Sequence, residues 1–137
     1  MSETGFSWPV RVYYEDTDAG GVVYHANYLR FFERARTEWL RALGVNQDRL
    51  RREHGLVFVV HDMKVRFHRP ARFDDLLQVT CEVVTARRAS AGFRQRILAD
   101  GRAPPLCEAE LTVACIDERF APRPIPETIR AEMQHGR

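Results

Sequence analysis

The chain has 137 residues, 45% of them hydrophobic and 29% charged, and a formal net charge of +2 at pH 7. That is the length and balance of one globular domain, 1–137, and no repeat, linker or low-complexity segment argues for more. So small a net charge gives no support to nucleic-acid binding.

Lys64 is the single lysine, and every other member of the Lys/Arg set is arginine. Genome base composition explains that skew more simply than function does, although arginine is well suited to gripping phosphates. Cys81, Cys107 and Cys115 are an odd count without paired spacing. With no leader-like or membrane-length apolar run, they predict reduced thiols and a cytoplasmic protein without a membrane span. Each cysteine sits in a strand-like run, where it reads as a small buried apolar residue and not as a nucleophile.

In chain order, Trp8 to Glu15 reads as a first strand, with Val10, Val12 and Tyr14 alternating against Pro9, Arg11 and Tyr13. An acidic turn and Gly20-Gly21 follow. The next segment predicts a long helix, Asn27 to Leu43, with Asn27 as N-cap and Gly44 just past its end. Tyr28, Phe31, Phe32, Ala35, Trp39, Ala42 and Leu43 recur at spacings of three and four and form one apolar face. Arg34 and Glu38 stand as an i,i+4 pair on the other. Asn46 to His54 predicts a short second helix, capped by Asn46 and ended by Gly55.

After Gly55 the period changes to two. Val57, Val59, His61, Met63, Val65 and Phe67 share one side of a strand that Arg69-Pro70 ends. Leu76 to Thr85 is the next strand, Arg87-Arg88-Ala89 a tight link, and Ser90 to Ala99 a further strand. Asp100-Gly101 opens a turn, Pro104-Pro105 closes it, and Leu106 to Asp117 is the last strand. Pairing centred near Arg102 sets Arg96 opposite Glu108 and Arg94 opposite Glu110, with Phe93, Gln95 and Ile97 on the other face. Pro124 and Pro126 introduce a short terminal helix.

Strand, helix, then four strands with short links is an α+β plan: a five-stranded antiparallel sheet wrapped around one long helix. One helix covers one face and the sheet keeps free edges, so the plan also predicts a homo-oligomer.

The chemistry concentrates between Tyr14 and Tyr28. Asp16 and Asp18 admit two readings, as turn and capping residues or as a reactive carboxylate beside a helix start. His25 is either a polar packing residue or part of that site, and Tyr14 either packs the helix base or joins it. A diglycine lets a backbone approach a ligand closely, and helix-start amides suit a developing oxyanion. Other schemes find little. Only Ser2, Ser7 and Ser90 are serines, no Gly-x-Ser-x-Gly elbow exists, and no phosphate loop or dinucleotide fingerprint is present. His61, Asp62 and His68 invite a metal reading, but strict alternation turns His61 away from the other two, and no metal or cofactor is required.

The run Tyr14-Glu15-Asp16-Thr17-Asp18-Ala19-Gly20-Gly21-Val22-Val23-Tyr24-His25-Ala26-Asn27-Tyr28 resembles the signature of hotdog-fold acyl-CoA thioesterases of the 4-hydroxybenzoyl-CoA thioesterase class. Its resemblance is closest to the bacterial Tol-Pal-associated branch. The similarity continues through Phe32-Glu33-Arg34-Ala35-Arg36-Thr37-Glu38, the Arg66–Pro70 strand end and Pro124-Ile125-Pro126. It implies a hotdog fold, an acyl-CoA or acyl-carrier-protein substrate, and a dimer of dimers with its site at a subunit interface. It places the catalytic carboxylate on Asp18 and the carbonyl-polarising amide on His25, and counts the side chains of His25 and Tyr14 with the site. Arg87, Arg88 and Ser90 are candidate contacts for the coenzyme A phosphates. A non-catalytic acyl-CoA or acyl-carrier-protein binding module and a hydratase on the same scaffold are the alternatives. Asp18 separates the first of these from a hydrolase, since a binding module has no use for a carboxylate aimed at a thioester.

Overall fold

The computed structural model describes residues 5–135; Ser2 and the two ends of the 1–137 span lie outside it. Five strands, β1 (Phe6–Arg11), β2 (Val57–Phe67), β3 (Leu76–Ala86), β4 (Ser90–Ala99) and β5 (Arg102–Ile116), form one antiparallel sheet in the order β1-β3-β4-β5-β2. Three helices accompany it: α1 (His25–Ala42), α2 (Gln47–His54) and α3 (Glu127–His135). The α+β plan is therefore the observed one.

The aromatic face of α1 makes the core. Tyr28, Phe31, Phe32, Ala35, Trp39 and Leu40 are buried against the concave side of the sheet, with Trp39 edge-on to Phe93 at 5.4 Å. Leu40 takes the place expected of Ala42, which is exposed. The helix lies over β1 and β3. Gly44, at φ +89°, ends it: Val45 N–H donates to Leu40 O and Gly44 N–H to Arg41 O, the crossed pair of a Schellman motif. Glu38 pairs with Arg41 at 3.2 Å and not with Arg34, whose guanidinium stands over the Phe31 ring. Asn46 caps α2 through Arg49 N, and Gly55 closes it in the left-handed region, as expected.

Three further expectations are corrected. β1 ends at Arg11, and Tyr14–Asp16 forms a 3₁₀ turn, because the Asp16 carboxylate draws in the Tyr13 amide at 2.8 Å. Strict alternation fails in β2: a bulge between Val60 and Asp62 inserts His61, so Phe58 and Val60 share the side of Met63 and Val65. The parity that separated His61 from Asp62 therefore does not hold, and His68 binds Glu108 at 2.8 Å. Finally, Pro104 and Pro105 lie inside β5, where the register slips between the Ile97–Cys107 and Ala99–Arg102 pairs. Their carbonyls accept from Arg69 Nη2.

The charge-based register holds. Arg96 stands opposite Glu108 and Arg94 opposite Glu110, with Phe93, Gln95 and Ile97 buried on the other face. Arg96 reaches Glu108 at 3.1 Å, whereas Arg94 turns across β3 to Glu82 at 3.4 Å. Hydrogen bonds from His68 and Arg96 hold the Glu108 carboxyl below its usual range. All three cysteines are buried, and desolvation pushes Cys81 and Cys107 up to about 12. They remain thiols.

Candidate active site

The segment from Tyr14 to His25 is a small hairpin tied to the chain that leads into β3. Thr17 pairs with Val23, Asp18 N–H donates to Val22 O, and Tyr24 N–H donates to Asp16 O. Its second arm is tied to the chain before β3: Val23 N–H donates to Ala71 O, and Val22 pairs with Arg72. From beneath, the buried Tyr28 hydroxyl accepts from Ala71 N at 2.9 Å. Burial raises the pKa of that phenol, so it stays protonated.

Asp18 sits at the tip, exposed. Its Oδ1 accepts from Gly20 N at 2.8 Å, and its carbonyl accepts from Gly21 N at 3.0 Å, an Asx-turn inside a β-turn. The two glycines are required for different reasons. Gly21 has φ +80°, which only glycine adopts without strain. Gly20 has no such angle, but a Cβ there would stand 3.2 Å from Asp18 Oδ1. The first glycine clears space for the carboxylate and the second turns the chain.

Asp16 is the opposite case. It is 5% exposed, and both carboxylate oxygens are engaged, Oδ2 by Tyr13 N and Oδ1 by Asn27 Nδ2, each at 2.8 Å. Asn27 is thus not the N-cap. The helix begins two residues earlier, after Tyr24, and Asn27 in its first turn locks it to the hairpin. Among the described residues no side chain caps the start of α1. The amide of His25 stands there with the positive end of the helix dipole behind it. The His25 ring is exposed and tilted against Tyr24, centroids 4.5 Å apart.

Tyr14 does not pack inward. The residue is 76% exposed, and its ring stacks flat on Phe73, centroids 3.9 Å apart and planes 8° from parallel. Tyr14, Asp18 and His25 thus belong to one hairpin and its helix junction, with no hydrogen bond between their side chains among the described residues. Sequence reasoning missed Phe73, Tyr28 and the clamping role of Asn27. Only Asn27 carried a signal, as a polar residue amid aromatics in the first turn of an apolar helix.

Arg87, Arg88 and Ser90 lie elsewhere. The hairpin is tied to Ala71 and Arg72, ahead of β3, whereas the arginines follow its last residue, and 11 residues of strand span roughly 35 Å. Their link is pinned by backbone bonds, Arg87 N to Ser90 O and Ile125 N to Arg88 O, which leave both side chains exposed. Within one protomer the structure does not bring them to Asp18. Among the described residues no group of three His, Cys, Asp or Glu side chains is placed to hold a metal, and no helix is long and apolar enough to cross a membrane.

The sequence pattern of the thioesterase-like superfamily matches residues 12–133. The chain is 49% identical over 135 residues to the acyl-CoA thioester hydrolase YbgC of Escherichia coli O6:H1, covering 98% of this chain and 99% of that one. It is 47% identical to the acyl-CoA thioesterase YbgC of Haemophilus influenzae, covering 98% of each. Among solved structures, a probable thioesterase from Bartonella henselae superposes with a TM-score of 0.83 at 40% identity, over 89% of this chain and 99% of that one. A 1,4-dihydroxy-2-naphthoyl-CoA thioesterase from Synechocystis superposes at 0.87 with 22% identity, over 95% and 96% of the two chains, a likeness of fold.

Proposed function

The chain belongs to the thioesterase-like superfamily, and we propose that within it this protein is an acyl-CoA thioester hydrolase working through Asp18 and the first amide of α1. It hydrolyses acyl-CoA to the free acid and coenzyme A. The observation that carries the assignment of roles is the Asp18 carboxylate, held by Gly20 N–H at the tip of a hairpin that runs directly into an uncapped helix start.

The thioester needs little acid catalysis, since its leaving thiolate has a conjugate acid near a pKa of about 8.5. What it needs is an attacking oxygen and a place for negative charge. Asp18 takes a proton from water as the water oxygen adds to the carbonyl carbon. The resulting oxyanion is met by the His25 amide, and its collapse expels the thiolate, which recovers the proton. Direct attack by the carboxylate instead expels the thiolate and leaves an acyl-aspartyl anhydride, which water hydrolyses to the free acid and the Asp18 carboxylate. The His25 and Tyr14 side chains border the reacting group in either route.

The site is exposed on the single chain, and β2 is a free edge with Val59, Val60 and Phe67 38%, 45% and 52% exposed. These features support a homo-oligomer, a dimer of dimers with the site closed at a subunit boundary. In that arrangement Arg87, Arg88 and Ser90 meet the phosphates of a coenzyme bound at a neighbouring protomer's site. A cytoplasmic location, acyl-carrier-protein thioesters as further substrates, and a link to the Tol-Pal envelope system complete the proposal. Thiol release from a panel of acyl-CoAs tests the activity and sets chain-length and aromatic preference. Absence of release from every member would leave a binding module in its place. Light scattering tests assembly, and a stable particle of one chain's mass would refute it.

A further inference from the structure

The catalytic hairpin fixes the backbone of Tyr14 but not its ring. The Tyr14 carbonyl accepts from Thr17 N at 3.1 Å and from the Thr17 hydroxyl at 2.8 Å. Its side chain makes no hydrogen bond among the described residues, and its ring meets one aromatic partner there, Phe73. A ring exposed on a turn otherwise exchanges among staggered χ1 rotamers. Here the centroids are 3.9 Å apart and the planes 8° from parallel, closer than the usual range of about 4.5–7 Å for paired aromatic rings. That is full face contact, and it selects one rotamer.

Phe73 comes from outside the hairpin, on a turn that is itself pinned. Asp75 N–H donates to Arg72 O at 3.1 Å, Asp75 Oδ2 accepts from Arg72 N at 2.9 Å, and Asp74 takes the left-handed region at φ +70°. The turn is tied to the chain leaving β1. Asp74 N–H donates to Val12 O at 2.9 Å, Val12 N–H to Asp75 O at 3.0 Å, and Arg11 Nη1 to Asp74 O at 2.8 Å. The two residues before Phe73 hold the other arm of the hairpin, Ala71 through Val23 N and Arg72 through Val22. Ala71–Phe73 thus grips the hairpin on both sides of Asp18, by main chain at Val22 and Val23 and by stacking at Tyr14. Phe73 is also the more enclosed ring of the pair, 41% exposed, so it sets the plane that Tyr14 follows.

We propose that Phe73 is a positioning residue for the hydrolysis, holding the Tyr14 side chain at a fixed place relative to the Asp18 carboxylate. The inference rests on the reading that Tyr14 borders the reacting group. The contact is made within one chain and requires no open surface around it. A group beside the reacting atoms that is misplaced by about 1 Å costs up to about a hundredfold in rate. Phe73 therefore acts on kcat, through Tyr14, while KM keeps its value.

The test is a double-mutant cycle on kcat, read by thiol release from an acyl-CoA that the wild type turns over. Tyr14→Ala should lower kcat at least about fivefold, and Phe73→Ala at least about threefold with KM within about twofold of wild type. The pair should be no worse than Tyr14→Ala alone, within about twofold. Phe73→Leu keeps apolar bulk without a flat face and should lose as much as Phe73→Ala, whereas Phe73→Tyr should keep the wild-type kcat. A residue that only propped the turn would be served by leucine, and its loss would lower Tm and not kcat. Wild-type kcat in Phe73→Leu or in Tyr14→Ala, or single losses that multiply in the pair, overturns the proposal and leaves the Asp18 hydrolase standing. No thiol release from the wild type ends both. If Phe73→Ala does not fold, Phe73→Leu takes its place in the cycle.

Discussion

Asp18→Asn separates the two roles a carboxylate in this hairpin could have. On the structural side, Asp18 makes one side-chain hydrogen bond, to Gly20 N at 2.8 Å on an exposed turn, and the amide oxygen of asparagine can accept the same bond. The hairpin is otherwise held by main-chain bonds from Asp18 to Val22, Tyr24 to Asp16 and Val23 to Ala71, which the change does not touch. Exchanging a charged for a neutral acceptor there costs under about 1 kcal/mol, a fall in Tm of less than about 5 °C. On the chemical side, the amide neither deprotonates water nor attacks a carbonyl. Loss of a general base costs about 10²- to 10⁴-fold, or roughly 2.7 to 5.5 kcal/mol in the barrier. A drop in kcat of at least about a hundredfold, with thermal midpoint and particle size retained, is the expected result. A colorimetric thiol reagent reads it cleanly, because Cys81, Cys107 and Cys115 are buried. His25→Ala should lose less, since alanine keeps the N–H at the helix start. Turnover within tenfold of wild type would refute the assignment, and unfolding would make Asp18 a turn residue only.

Gly20→Ala should lower kcat about three- to tenfold without loss of stability, because a Cβ 3.2 Å from Asp18 Oδ1 displaces the carboxylate by a few tenths of an ångström; unchanged kinetics would show that its position does not matter. Asp16→Asn should cost about 1–3 kcal/mol in denaturant unfolding, since a charged acceptor of two hydrogen bonds becomes a neutral amide with one acceptor oxygen and Asn27 must flip its own amide to pair with the new NH₂; a neutral result would undo the clamp. Replacing Arg87 and Arg88 together with alanine should raise KM for acyl-CoA at low salt and leave kcat unchanged, with the effect shrinking as salt rises; an unchanged KM moves the phosphate site elsewhere. The Glu108 carboxyl is held below its usual range in the fold, so its stabilising contribution is present above the unfolded carboxylate range and lost as pH falls through the folded value; Glu108→Gln should flatten the acid side of the stability profile, and an unaltered acid limb would show that the His68 and Arg96 contacts contribute nothing.

How much of this was legible depended on whether one residue's neighbours lie close in sequence. The apolar face of α1, the Gly44 stop and the Asn46 cap are local, and each was readable from spacing. The β4–β5 register was readable because two opposite-charge pairs shared one offset. The bulge at His61 was not, since nothing in Val57–Phe67 marks an extra residue and the run is apolar on both parities before it. Pro104 and Pro105 misled because proline ends a regular ladder, yet here the ladder has already slipped where they stand.

The same distinction explains the hairpin. Asp18, Gly20 and Gly21 form a local turn, and their types announce it. Asp16 and Asn27 are eleven positions apart, and only the folded chain shows that each satisfies the other. Placing Asn27 at the cap gave it the commonest duty of an asparagine before a helix. Its actual duty leaves the cap position to Tyr24, whose side chain accepts nothing from the helix. A side-chain cap at that position would reach the amide of Ala26 or Asn27 and not that of His25, and Asn27 N–H already donates to Tyr24 O at 2.8 Å. Turned inward onto Asp16, Asn27 ties the first turn of α1 to the hairpin, so the clamp also fixes where the His25 amide stands. Asn27→Ser offers the first turn another small polar residue but cannot span to Asp16. If the two features are coupled, it should weaken both stability and kcat together. If they are independent, stability alone should fall.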